Sequence, residues 1–295
     1  MSGGVITDIL QLRYFKKIAE LENVSKASQE LMVAQPALSK TIKQLETELD
    51  VQLFDRAGKR IYLNDNGRIL LKHTDCILSH LKDAVAEIND YNERVSGSIT
   101  ISMQAATRML PQILLGFKQL YPAAKIIVKK LDDDTPSCEN CDLHIFSSRL
   151  PVENSNTYTL LKEDCLLGMS PNHRLANAAH IDMIDLKDED FIIIQNRKSL
   201  SDITNEFCRE AGFLPNVVLE CDHQSAIFTL IENNIGIAFI PSKTWLTNSN
   251  HNLVFHAIRN KPCSRYINVS WGENTYHSKL ACLFREYLIS FFQEL

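Results

Sequence analysis

From Leu70 to Tyr91 the residues Leu70, Thr74, Ile77, Leu81, Ala84, Ile88 and Tyr91 fall alternately four and three apart. That spacing is a heptad seam, a single stripe of an α-helix that something else has to cover. A helix this long and this polar on its other faces is expected to pair with a second copy through Leu70, Thr74, Ile77, Leu81, Ala84 and Ile88. Packing of the same stripe against the chain's own core is the other reading. Asn64-Asp65-Asn66-Gly67 supplies capping residues for its start.

Upstream of the seam, Ile9, Leu10, Leu12, Phe15, Ile18, Ala19 and Leu21 recur at helical spacing. Ser25 is placed to cap a short second helix over 26–31, with Ala27 and Leu31 inward. After the turn Met32-Val33-Ala34, Pro36 suits the first turn of a third helix, where a missing N–H costs nothing. Leu38, Ile42, Leu45 and Leu49 form its buried stripe, and Gln35, Ser39, Lys40 and Lys43 lie opposite. Two helices, a tight turn and a polar-faced third helix make a helix-turn-helix. The Gln35 amide can read adenine, Ser39 a base edge or phosphate, and Lys40 and Lys43 phosphate or guanine. A merely solvated helix face is the competing reading. The stretch 53–63, with Gly58 at its turn, reads as a hairpin. As a wing it would carry Arg56, Lys59 and Arg60 toward phosphates or a minor groove.

A chain of 295 residues, 45% hydrophobic and 23% charged, supports roughly two to three domains with buried cores. The net charge of −5 is unusual for a nucleic-acid binder. Between Lys26 and Lys72, however, Lys26, Lys40, Lys43, Arg56, Lys59, Arg60, Arg68 and Lys72 outnumber the acids, and phosphate neutralisation depends on placement. No secretory signal or membrane-spanning run is visible. The eight cysteines are scattered, as expected of reduced cytoplasmic thiols.

The segments around 12–15, 34–39, 44–46 and 53–56, with Gly67, lie in the order and spacing of the LysR-type transcriptional regulators, which this chain resembles. The resemblance implies a winged helix-turn-helix with Ser25, Gln35, Pro36, Ser39, Lys40, Lys43, Arg56, Lys59 and Arg60 at the DNA. It also implies a dimerising linker helix and a dimer or tetramer on dyad-symmetric double-stranded promoter DNA. RNA polymerase is a further expected partner. Ala34 stands where the family often has Ser, Thr41 where Gln or Arg is common, and Asn64 where Thr usually caps the linker helix.

Beyond the expected hinge at 94–98, strands at 99–102, 125–131 and 142–146 flank a helix that starts at Leu110-Pro111 and ends at Tyr121-Pro122. Strands at 165–169, 191–194, 217–220, 235–241 and 265–271 and helices at 200–211, 225–232 and 278–292 follow. Strand-helix-strand order predicts a parallel α/β sheet. Asn172-His173-Arg174-Leu175, Asp185-Leu186, Ala211-Gly212-Phe213 with Pro215, and Gly236-Ile237 with Pro241 extend the LysR resemblance. The implied fold class is α/β with an all-α-plus-wing N-terminal domain and a two-lobed effector domain like a periplasmic binding protein. The expected boundaries are 1–67 for the DNA-binding domain and 68–95 for the linker helix. Lobe I takes 96–161 and 272–295, and lobe II takes 162–271.

The same resemblance implies a small-molecule effector between the lobes, with Ser102, Thr107, Thr135, His223 and Ser225 as candidate contacts. The helix start at 222–225 would favour an anionic metabolite, against simple capping by Asp222 or Ser225. The segment between the strands at 125–131 and 142–146 has hardly room for the family's usual helix, which would expose a sheet face or need a partner over it. There sits Cys138-Glu139-Asn140-Cys141, with His144 beyond it, and ordinary thiols are expected. A redox or metal-responsive role for Cys138 and Cys141 is an alternative function. A binding protein with a vestigial DNA arm is another. The run at 132–134 reads as a solvated turn. No catalytic set, metal site or cofactor motif is present, so no enzyme is expected.

Overall fold

The computed structural model describes residues 7–57, 60–91, 97–129, 141–194, 200–221, 223–246, 251–273 and 276–295, with backbone only for Arg56, Ala57, Arg60 and Asn89. The chain divides into two compact units, residues 1–88 and 89–295. No helix among the described residues is long and apolar enough to cross a membrane.

In the first unit, α1 (Ile9–Leu21) opens on a reciprocal cap between Asp8 and Gln11. It packs with α2 (Val24–Glu30) and α3 (Gln35–Leu49) around Phe15, Ile18, Leu38 and Leu45, all fully buried. The sequence places Ser25 as the cap of α2, and the fold corrects this: Ser25 lies inside the helix. The helix starts earlier, and the Asn23 side chain accepts from the Lys26 N–H at 3.0 Å. The earlier start brings Val24 onto the core, and that burial selects between two adjacent capping residues.

The hairpin β1 (Phe54–Ala57) and β2 (Arg60–Leu63) is antiparallel, pairing Phe54 with Leu63 and Ala57 with Arg60. Helix α4 (Asp65–Tyr91) follows, with Asn64 Oδ1 accepting from the Gly67 N–H at 2.9 Å. The seam divides. Leu70 packs against the unit's own core and Thr74 is fully buried, whereas Ile77 and Ile88 are exposed by 46% and 61%. Ala84 is exposed too, and Leu81 is half-buried.

The second unit is built on two cores joined by one long strand. In the first lobe, β3 (Ser98–Met103) lies parallel to β4 (Lys125–Lys129) and to β5 (Leu143–Ser148). Antiparallel β11 (Ser264–Ser270) follows β5, then β6 (Thr157–Met169). Helices α5 (Leu110–Leu120) and α8 (Lys279–Gln293) cover one face through Phe117 and Phe284, whose rings meet edge-on at 4.7 Å. Sequence reading found only the second half of β6. Its first half pairs with β11 in lobe I and its second half pairs with β9 (Ala238–Pro241) and β10 (Val254–His256) in lobe II. In that lobe β7 (Asp190–Ile194) is parallel to β8 (Asn216–Cys221), and α6 (Leu200–Glu210) and α7 (Gln224–Glu232) pack on β7. The passages between lobes fall at Asp164–Cys165 and Cys263–Ser264, so Ile267 and Val269 of β11 are buried in the first core. The sequence had placed these passages near Leu161 and Gly272.

The face of the lobe I sheet away from α5 and α8 carries Thr100, Ser102, His144 and Asn268, all buried. Asn268 Oδ1 accepts from Thr159 Oγ1 at 2.9 Å, and its Nδ2 donates to Ser148 Oγ at 2.8 Å. Ile127, paired with Thr100, and Phe146, paired with Asn268, lie on the same face, which is therefore mixed rather than wholly apolar. The segment 130–140, where the family's helix would stand, lies outside the described residues.

Candidate nucleic-acid interface

The interface is assembled by the turn between α2 and α3. Leu31 N–H donates to Ala27 O, and Met32 then takes a left-handed conformation, φ +54°, that lets Val33 N–H return to Ser28 O at 3.0 Å. Helix α3 begins at Ala34, whose side chain can accept nothing. Pro36 removes one of the amide donors that this start would otherwise leave unsatisfied. Because Leu38, Ile42 and Leu45 face inward, Gln35, Pro36, Ser39, Lys40 and Lys43 are all exposed on the other side. Ser25, also exposed, donates from its hydroxyl to Gln35 Oε1 at 3.3 Å. Of the predicted contacts, these residues share one surface.

Among the described residues, the cations of this unit divide into paired and unpaired ones. Lys16 pairs with Asp75 and Glu20, Lys17 with Glu20 and Glu30, and Arg68 with Asp65. Lys26, Lys40 and Lys43 have no ion pair among the described residues, and all three are exposed. A purely solvated face gains from internal pairing at helical spacing, so cations left without it suit phosphate neutralisation. The wing's base is fixed to α3, since Glu46 Oε1 accepts from the Leu53 N–H at 2.9 Å. Arg56 and Arg60 occupy facing strands of the hairpin, and Lys59 lies outside the described residues.

In the second unit, Ser102 ends up on β3 with its Oγ buried and without a hydrogen-bond partner among the described residues. Thr107 is exposed in a short 3-10 turn, Thr107–Met109. His223 occupies the N-cap of α7 with no side-chain cap bond, and Ser225 is exposed within the helix rather than capping it. Thr135 and Asp222 lie outside the described residues. Parallel strands β3 and β5, like β7 and β8, point their C-terminal ends toward the loops where open α/β sheets bind ligands. Sequence reading missed three polar groups there. Arg108 Nη1 of lobe I donates to Trp245 O of lobe II at 2.8 Å. Arg149 places its guanidinium 4.8 Å from the Phe207 ring centre and pairs with Glu210 at 3.6 Å. Gln224 Nε2 is buried without a partner among the described residues. The two arginines join segments far apart in sequence, so no local pattern announces them.

Of the thiol motif, Cys138 lies outside the described residues and Cys141 is half-buried. Burial pushes the thiols of Cys165, Cys208 and Cys263 from the usual 9.0 up to about 12. These thiols stay protonated and inert at neutral pH. Alkylation of the native protein at pH 8, mapped by mass spectrometry, should therefore leave these three unmodified while exposed Cys76 reacts. Rapid modification of any of the three would contradict their burial. Because a raised folded-state pKa favours the folded protein only while the unfolded thiol is also protonated, this contribution is complete below pH 9 and is lost as pH rises toward 12.

Residues 9–68 match the model of the bacterial regulatory helix-turn-helix proteins of the lysR family, and residues 92–293 match the LysR substrate binding domain. The chain is 29% identical to the transcriptional dual regulator GltC of Bacillus subtilis (strain 168), over 98% of each protein. It is 30% identical to YwbI, an uncharacterized HTH-type transcriptional regulator of the same organism, over 80% of each. Its fold is similar to that of full-length CbnR solved with its target DNA, with a TM-score of 0.65 at 18% identity over 96% of this chain and 99% of that one.

Proposed function

The chain belongs to the LysR family of DNA-binding transcriptional regulators, and from that premise we propose that it reads dyad-symmetric promoter DNA as a homodimer or homotetramer, with α3 in the major groove. The carrying observation is the exposed face of α3, where Gln35, Ser39, Lys40 and Lys43 stand together and the lysines lack acidic partners among the described residues. Arg56, Lys59 and Arg60 are assigned to the wing's approach to the backbone or minor groove. The exposed part of the α4 seam, from Ile77 through Ala84 to Ile88, supports pairing of two copies, which would set two recognition helices at a half-site spacing. The second unit is assigned an effector, a small anionic metabolite held where the lobes meet, with Ser102, Thr107, Thr135, His223 and Ser225 as candidate contacts. RNA polymerase is the expected downstream partner, and the site of action is the cytoplasm. The protein is proposed to regulate without catalysis of its own.

Mobility shifts with duplex DNA from upstream of its own gene test this reading, and absence of retardation at low salt would sink it. Replacing Lys43 by Ala should weaken binding to every sequence and reduce the slope of log affinity against log salt by about one. An unchanged slope would remove Lys43 from the phosphate contacts.

A further inference from the structure

We propose that Ser25 is a positioning residue for base readout: its bond to Gln35 turns the glutamine's carboxamide donors toward the major groove. The sequence gives each of these side chains a separate contact with DNA, yet the fold joins them. Ser25 is the second residue of α2 and Gln35 the first of α3. The left-handed turn at Met32 brings the two helix starts together, so that Ser25 Oγ lies 3.3 Å from Gln35 Oε1. Ala34 offers no competing side-chain acceptor at that helix start. The inference rests on α3 being the recognition helix.

A hydroxyl hydrogen donated to Oε1 holds the carbonyl end of the amide back toward α2 and leaves the two Nε2–H donors outward. Gln35 Nε2 has no partner among the described residues. A free glutamine reads adenine with both ends, accepting from N6 and donating to N7. With its carbonyl engaged, Gln35 instead offers donors alone. Those donors suit O6 and N7 of guanine or O4 of thymine. The reverse amide orientation would have Ser25 Oγ accept from Nε2 and leave Oε1 outward toward adenine N6, so the base preferred at these positions reports which orientation holds. Ser25 then carries sequence information through Gln35, and its own hydrogen is not spent on a phosphate.

The test is selection of bound duplexes from a randomised DNA pool by the full-length protein, followed by affinity measurements on the selected site and its single-base variants. Wild type should enrich guanine or thymine over adenine at one symmetric pair of positions, by about fivefold. Ser25→Ala should lower that discrimination to about twofold or move it toward adenine, with overall affinity changed less than about threefold. Ser25→Thr, which keeps the hydroxyl, should restore it. Gln35→Ala should abolish preference at the same positions, and adding Ser25→Ala to it should change nothing further. The proposal is overturned if Ser25→Ala leaves base preference intact, or if it weakens all sequences equally and flattens the salt dependence, as a phosphate contact would. Failure of wild type to enrich any sequence would be a different result, overturning the recognition-helix reading itself and this proposal with it.

Discussion

Gly67→Ala should lower the thermal midpoint of the DNA-binding unit by about 5–20 °C, through about 1–3 kcal/mol of overpacking. The residue lies in the first turn of α4, and its backbone is not left-handed, so glycine is not required there for conformation. It is required by proximity. A Cβ at this position would lie 2.3 Å from the Leu53 carbonyl oxygen and 2.6 Å from Leu63 Cδ1. The leucine side chain could rotate away, but the backbone oxygen is fixed, because it accepts from the Asn64 N–H at 3.1 Å. Asn64 in turn caps α4 at Gly67 itself. One methyl group therefore pushes α4 away from the wing and opens the cap together with the bond beside it. Circular dichroism melts combined with hydrogen exchange at the start of α4 would register the change, and DNA affinity should fall with the folded fraction. A midpoint within about 3 °C of wild type would mean that the helix start can shift freely.

That contact also marks where sequence reading stops. The sequence signals a helix start at 64–67 through its capping residues, because capping is a local hydrogen bond between near neighbours. It cannot say that a carbonyl from another strand presses on Gly67. The same division runs through the molecule. Helices α1, α3 and α4 were legible because an apolar stripe repeats within each, and α2 only approximately, because Asn23 and Ser25 are equally good caps until Val24 is known to be buried. The second half of β6 reads as a strand. Its first half carries Lys162, Glu163 and Asp164, and three successive charged residues look like a loop. The exposed face of α3 was legible residue by residue, whereas the hydrogen bond between Ser25 and Gln35 arises only when two helices are folded together. The polar groups at the ends of the effector-domain strands share that difficulty. Arg108 and Trp245 stand on different lobes.

Removing the guanidinium of Arg265 should cost about 3–5 kcal/mol in the second unit, because it strands a buried carboxylate. Glu163 is fully buried on β6, and Arg265, 3% exposed, is its partner on β11. Arg265 Nε donates to Glu163 Oε1 at 2.9 Å, and Thr244 Oγ1 donates to the same oxygen while accepting from Arg265 Nη2. Glu163 Oε2 accepts from the Lys243 and Thr244 N–H groups at 3.0 and 2.9 Å. Every strong acceptor direction of the carboxylate is thus engaged, and the partners come from β11 and from the segment following β9. The network sits beside the passages at Asp164–Cys165 and Cys263–Ser264, so it fixes how the two strands cross. Arg265→Ala leaves a charge with only backbone amides and one hydroxyl, whereas Glu163→Leu with Arg265→Met removes both charges and their desolvation together. The double variant should therefore be more stable than Arg265→Ala alone, although it loses the Thr244 tie. Denaturant unfolding followed by hydrogen exchange of β6 and β11 separates this unit from the DNA-binding unit, whose transition should not move. If Arg265→Ala and the double variant were equally destabilised, the cost would lie in lost packing rather than in the stranded charge. If neither were destabilised, the crossing would be held by the neighbouring cores alone.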